Sequence, residues 1–291
     1  MKLVTFMRDG VTGLGALIRR EGRDVVVDFH KAAPRLPNDM IAFLSNGDET
    51  RALAEQALIN PPSEALLDRN AVRLTAPIPR PGKIICIGLN YRDHAAESSQ
   101  PVPEYPTVFA KYANCVIGPG EPIVIPRVTS QVDYEGELAV VIGRRARDVS
   151  QDAALSYVAG YAPFNDVSAR DYQMRTSQWT IGKTFDTFGP FGPALVTADE
   201  VADPHNLDLR VTIGDEILQS SNTRHLIFRI PQLIAYLSAV MTLEPGDVIA
   251  TGTPAGVGGA RQPQRWLRDG EMVRVEISGL GTLENPVVAS D

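Results

Sequence analysis

The sequence predicts a β-rich α+β chain. Short runs of β-branched and aliphatic residues closed by Gly, Pro or Asn recur along it, as strands closed by turns do. Two such runs, Leu209 to Ile213 and Glu216 to Leu218 around Gly214-Asp215, have the spacing of a hairpin. Against these stands one strongly patterned helix. Pro231 opens it, and Leu233, Ile234, Leu237, Val240 and Met241 share one face, which is expected to be core.

From the N-terminus, Lys2 to Phe6 and Asp24 to Phe29 read as strands, and Asn38 is placed to cap a helix through Leu44. Arg51 to Leu58 suits a second short helix. The segment Ala76-Pro77-Ile78-Pro79-Arg80-Pro81-Gly82 resists regular structure and reads as a stiff linker. It divides the chain into a small N-terminal domain, residues 1–75, and a larger one, 76–291. Lys83 to Gly88 is a strand by composition, and Asn90 is placed to cap the short helix that follows. His94 and Glu97 then lie side by side at i,i+3, either a minimal general base or an exposed ion pair. Ser98 to Pro106 holds three prolines and little apolar content, which suits a lid.

Thr107 to Tyr112 and Ile123 to Ile125 read as strands. The next stretch, Val132-Asp133-Tyr134-Glu135-Gly136-Glu137-Leu138, leads into the apolar run that Gly143 ends. On one strand Asp133, Glu135 and Glu137 project to the same face. Acids crowded there and led into a core need protons or a hard cation. Read alone, E-x-E is common, and the stretch reads first as a strand that begins in solvent with its acids hydrated. Ser150 is placed to cap a helix from Gln151 to Ala159, and Ser168 with Asp171 has capping-box spacing. Ala194 to Val196, Val248 to Ala250, Met272 to Ile277 and Thr282 to Val288 complete the strands.

Composition excludes several classes. At 44% hydrophobic and 22% charged the chain can build a core, and its net charge of −7 argues against nucleic acid. No apolar run approaches the ~18 residues of a membrane span, and charge follows the N-terminus too soon for a signal peptide. The two cysteines, Cys86 and Cys115, fit reduced core thiols and a cytoplasmic protein. No zinc spacing occurs among the four histidines. Gly182-Lys183-Thr184 lacks the upstream glycine of a phosphate loop, since that position is Ser177. The Gly-rich segment Thr251 to Gly258 lacks dinucleotide-site spacing.

Several motifs nevertheless resemble, in order, those of the fumarylacetoacetate hydrolase superfamily. They are Gly88-Leu89-Asn90-Tyr91 with His94 and Glu97, Asp133-Tyr134-Glu135-Gly136-Glu137-Leu138, and Asp166-Val167-Ser168-Ala169-Arg170-Asp171. Gly182-Lys183-Thr184-Phe185-Asp186, Gln219-Ser220-Ser221-Asn222-Thr223 and Thr251-Gly252-Thr253-Pro254 follow. The resemblance spans residues 83 to 288. It implies a mixed β-sandwich roll joined to a small N-terminal α/β domain, and a homodimer. It implies that Glu135, Glu137 and Asp166 bind one divalent cation, Mg2+ or Mn2+. His94, Glu97 and Lys183 would be catalytic, with Arg170, Gln173 and Thr253 near the substrate. One position departs from the founding hydrolase, whose additional metal-binding aspartate is here Ile87. That variant belongs to the branch acting on smaller 2-oxo acids.

The expected substrate is a 2-oxo or 1,3-dicarbonyl acid whose carbonyl the metal polarises. Hydrolytic C–C cleavage of an acylpyruvate-like 2,4-dioxo acid is the first expectation. Oxaloacetate decarboxylation, dienedioate isomerisation and sugar-acid dehydration pass through the same enolate. A relative that binds metal and 2-oxo acids without turnover is the non-enzyme alternative.

Overall fold

Strands dominate the computed structural model, which describes residues 1–290. An eleven-stranded sheet carries the chain from its N-terminal part into its centre. Its first strands are Lys2–Arg8, Val11–Arg20 and Arg23–Asp28. Lys2–Arg8 pairs on one side with Val11–Arg20 and on the other with Leu195–Thr197. From there the sheet runs through Val158–Asn165, Gly136–Ile142, Val248–Ala250 and Ile84–Gly88 to Thr107–Lys111. Most pairings are antiparallel, but Val248–Ala250 lies parallel to Ile84–Gly88, so the sheet is mixed.

A second sheet of five strands is built on Glu216–Asn222, Asp208–Ile213, Met272–Ile277 and Gly281–Ala289, with Ile123–Ile125 at its edge. The two sheets pack where Gly136–Ile142 and Val158–Asn165 meet Asp208–Ile213, Met272–Ile277 and Gly281–Ala289. Side chains from both faces fill one large core. Strand alternation sorts the N-terminal residues. Leu3 enters that core, while Val4 and Phe6 enter a smaller one with Val26, Leu67 and Leu74. Among the described residues no helix is long and apolar enough to cross a membrane.

Several local expectations are corrected. The helix expected from Asn38 is Met40–Ser45, and Asp39 caps it by accepting the Ala42 N–H. Asn38 instead accepts the Leu14 N–H and donates to the Thr12 carbonyl. The helix expected at Gln151–Ala159 lasts one α-turn, Gln151–Ala154, and one tighter turn before Val158–Asn165 begins. Gly160, just beyond the end expected for that helix, lies inside that strand, and a Cβ there would strike the Val196 carbonyl of the neighbouring strand. Ser168 and Asp171 make no capping box; the helical turn Arg170–Gln173 starts from Ala169 with no side-chain cap. Ile230–Val240 buries Leu233, Ile234 and Leu237, yet Val240 is exposed at its last turn.

Gly160 carries a stability prediction. Gly160→Ala forces the neighbouring strand aside and should cost about 1–3 kcal/mol, the usual range for overpacking. The midpoint of urea unfolding reads it, and an unchanged midpoint would show that the sheet relaxes freely there.

Candidate active site

The acid cluster is a product of strand register. Gly136 pairs with Asn165, so Glu135 and Asp166 flank one point at the ends of adjacent strands, and the Asp166 N–H donates to the Glu135 carbonyl. Glu137 lies two residues on from Glu135, hence on its face. The glycine between the two glutamates is required, because a Cβ at Gly136 would meet Val211 of the second sheet. Gln219, from that sheet, accepts the Gly136 N–H and donates to Thr253 Oγ1 and the Pro254 carbonyl. Glu135, Glu137 and Asp166 are all buried, with oxygens within 4.8 Å of one another.

Asp133 does not join them. The strand breaks after Asp133 and resumes at Gly136, and the Asp133 carboxylate turns toward the Gly-rich segment. There it accepts the N–H groups of Gly258 at 2.7 Å and Gly259 at 2.8 Å, and Arg170 Nε at 2.8 Å. Either glycine's Cβ would crowd this carboxylate.

Three cations face the acids. Lys183 Nζ, from the turn Thr180–Lys183, donates to Glu135 Oε2 at 2.7 Å and Asp166 Oδ2 at 2.8 Å. Lys111 Nζ donates to Asp166 Oδ1 at 2.7 Å and to the Val167 carbonyl. Arg170 Nη1 meets Glu135 Oε1 at 2.6 Å and Gln173 Oε1 at 2.9 Å. Its Nη2 is buried with no partner among the described residues. Lys111 is absent from the expected site. Its one sequence signal is phase: Lys111 shares the inward side of its strand with Phe109, where a lysine needs a reason.

Titration follows this unequal pairing. Burial pushes Glu135 up, but Lys183 and Arg170 outweigh it and hold its carboxyl down at about 2. Burial also opposes the Lys183 ammonium, yet Asp166 and Glu135 keep its pKa above the ordinary value. Glu137 has no cation of its own, only the Gly252 N–H on Oε2. Burial, then the charges of Asp166 and Glu135, raise it well above the usual carboxylate range. Four carboxyl groups thus confront three cations, and Glu137 is the one left without a cation partner. An all-oxygen, buried set with one unbalanced carboxylate fits a hard divalent cation such as Mg2+ or Mn2+.

The His94 and Glu97 side chains do meet. His94 Nδ1 lies 2.7 Å from Glu97 Oε1, and Glu97 Oε2 accepts the Gly256 N–H at 2.8 Å. Asn90, expected to cap this helix, instead lies buried one residue before Tyr91, the helix cap. A cavity of about 730 Å³ gathers His94, Glu97, Glu135, Glu137, Arg170 and Lys183, together with Gln173 and Thr253. Asp166 lies behind it, both oxygens taken by lysines. The Thr253 hydroxyl is committed to the Gly136 carbonyl, so its only hydrogen is spent inside the fold. Ile87, Phe109, Trp179 and Trp266 supply apolar wall. Ser98, Ser99 and Gln100 border the same cavity, and the chain from there to Pro106 forms neither helix nor strand.

The family described as "Fumarylacetoacetate (FAA) hydrolase C-terminal" matches residues 83–288. The mitochondrial oxaloacetate tautomerase fahd2 of Xenopus laevis is 46% identical over 265 residues, 90% of this chain and 82% of that protein. The fumarylacetoacetate hydrolase of Exiguobacterium antarcticum superposes with a TM-score of 0.84 at 36% identity, covering all of both chains. The maleylpyruvate hydrolase of Sphingobium sp. SYK-6, solved with manganese(II) and pyruvate, does so with a TM-score of 0.82 at 33% identity, again over all of both chains.

Glu137 yields a prediction with a definite sign. Its raised pKa means that the metal-free folded state holds a proton the unfolded chain releases. Its contribution to stability is therefore full below the unfolded pKa and is lost as pH rises toward the folded one. Glu135 works the other way, losing its contribution as pH falls toward about 2. Glu137→Gln should therefore melt higher than wild type at neutral pH without metal, and should no longer bind Mn2+. Thermal melts from pH 5 to 8 with a manganese titration test both. A variant less stable at pH 8 than wild type contradicts the charge assignment.

Proposed function

The chain belongs to the fumarylacetoacetate hydrolase family, and on that premise we propose that it interconverts the keto and enol forms of a small 2-oxo dicarboxylic acid of the oxaloacetate type. One observation carries this reading. A His–Glu pair and an unpartnered guanidinium nitrogen flank the carboxylate cluster in a single cavity. The relative named oxaloacetate tautomerase, close in sequence over most of the chain, supports the choice of substrate.

The reaction moves one proton between carbon 3 and the oxygen on carbon 2, and it consumes no water. Glu97 holds His94 Nδ1, which leaves Nε2 as the nitrogen that takes the proton from carbon 3 and delivers it to the oxygen on carbon 2, the reverse step restoring the keto form. Arg170 Nη2, buried and unpaired, receives a substrate carboxylate. Its other nitrogens are fixed by Asp133, Glu135 and Gln173, so the donor is oriented before the acid arrives. Lys183 has three N–H bonds and spends two on carboxylates, and the third supports negative charge on the carbon 2 oxygen. Glu135, Glu137 and Asp166 would hold a divalent cation, which would supply Lewis-acid polarisation of the 2-oxo group. The apolar wall of Phe109, Trp179 and Trp266 excludes water from the enolate.

Hydrolytic C–C cleavage of a 2,4-dioxo acid is the second reading. It is favoured by the double anchoring of Glu97, which suits a base that must activate water, and by the structural neighbour named maleylpyruvate hydrolase. Two copies are proposed to form a homodimer, which a mass measurement in solution tests. The buried thiols of Cys86 and Cys115 suit a reducing compartment, the cytoplasm first.

Proton NMR in heavy water with Mn2+ separates the readings. Accelerated exchange of the carbon 3 protons of oxaloacetate without loss of the acid supports tautomerisation. Release of pyruvate from acylpyruvates, with no such exchange, replaces it by hydrolysis. Glu97→Gln should lower turnover by about 10²–10⁴-fold while leaving manganese affinity unchanged. Loss of both together would place the pair in the metal's own surroundings. Arg170→Lys should raise KM for a dicarboxylic acid at least tenfold, since a point charge replaces the planar fork.

A further inference from the structure

A second cavity, also about 730 Å³, borders the same short helix Arg92–Glu97. His94 and Glu97 line the catalytic cavity, while Arg92 and Asp93 line this one. Arg224 and Arg229 complete a set of three guanidiniums, joined by His225. Among the described residues none of the three arginines makes an ion pair or donates a hydrogen bond from its side chain. The cavity's two acids offset the three guanidiniums only in part, and each has one oxygen turned to a neutral donor. Asp93 Oδ1 accepts the His94 N–H and Asp208 Oδ1 accepts Asn222 Nδ2. Ser220 and Ser221 also line the wall and add hydroxyl donors.

The arrangement is held in place rather than assembled by chance. Arg92 and the pair Arg224/Arg229 come from distant parts of the chain, and buried Asn90 ties those parts together. Its Oδ1 accepts the Phe228 N–H at 2.7 Å, and its Nδ2 donates to the carbonyls of Phe228 and Thr251. The Asn90 carbonyl accepts the Ile227 N–H, and Tyr91 bridges Leu226. Three exposed guanidiniums against two carboxylates leave a positive excess around one hollow, and guanidinium forks suit oxyanions. This occurs on a chain whose net charge is −7, where an adventitious positive pocket is least expected.

We propose that this cavity binds a small polyanion bearing carboxylate or phosphate groups. It contains no carboxylate cluster of the catalytic kind, so its occupant is an effector rather than a substrate. An anion bridging Arg92 to Arg224 and Arg229 rests against the helix that presents His94 and Glu97. The binding does not depend on which reaction that pair catalyses.

Calorimetric titration of metal-stripped protein, in low salt without chelator, provides the test. Citrate and pyrophosphate are the probes, and whichever binds more tightly identifies carboxylate or phosphate as the recognised group. The expected result is one site per chain, at least tenfold weaker in Arg224→Gln/Arg229→Gln and unchanged in Arg170→Gln. Arg92→Gln, a single change at an exposed side chain, should weaken it in the same direction should the double variant fold poorly. No saturable binding of either probe would overturn the proposal. So would binding that disappears in Arg170→Gln but survives in the Arg92 and Arg224/Arg229 variants, since the anion would then occupy the catalytic cavity.

Discussion

The fold depends at its centre on a charge problem solved at one register point. Where Gly136 pairs with Asn165, the chain leads carboxylates into the junction of two sheets, and each loses most of its water. An isolated buried carboxylate would take up a proton. Here Lys111, Arg170 and Lys183 enter from three separate segments, and backbone N–H groups of Gly252, Gly258 and Gly259 supply the remaining donors. The Gly-rich loop and the turns at Arg170 and Lys183 are placed where these bonds require them. Such networks rarely stabilise a fold beyond what a well-packed apolar core would provide, so their presence points to chemistry rather than to stability.

Division of labour among the acids follows from their partners. Asp133 has four donors and no free direction, so it serves as the anchor that joins Arg170 to the Gly258-Gly259 turn. Glu135 and Asp166 share Lys183, and that ammonium with Arg170 holds Glu135 below the usual carboxylate range. Glu137 alone is left underpaired, and it is the group whose charge a cation would most relieve. The same side chain type at positions 133, 135 and 137 thus plays three parts, set by what reaches each one.

Much of this was legible in the residues and some was not. The motifs placed Glu135, Glu137, Asp166, Lys183 and the His94–Glu97 pair correctly in one neighbourhood, because each sits in a short local pattern. Lys111 had only its inward phase as a signal, for the opposite reason: its role arises only when a distant strand end meets Asp166. Asn38 and Asn90 looked like helix caps, yet both bind backbone groups far away in sequence. Gly160 lies within a strand, where the carbonyl of the neighbouring strand leaves no room for a Cβ. Local propensity cannot reveal a contact made by another strand.

Ile87 shows how one position shapes the rest of the cavity. A fifth carboxylate there would face the same three cations and deepen the negative excess, which favours metal but opposes an anionic substrate. Ile87 is instead buried and lines the cavity, so it adds apolar wall beside Phe109 and Trp179. The cavity is then uneven, with cations and acids on one part and hydrocarbon on another. A short acid bearing two carboxylates can place one near Arg170 while its carbon skeleton stays against the apolar wall, within reach of His94. A water molecule gains nothing from that wall, and under the proposed reaction its exclusion from an enolate would favour proton transfer over hydrolysis whatever the base.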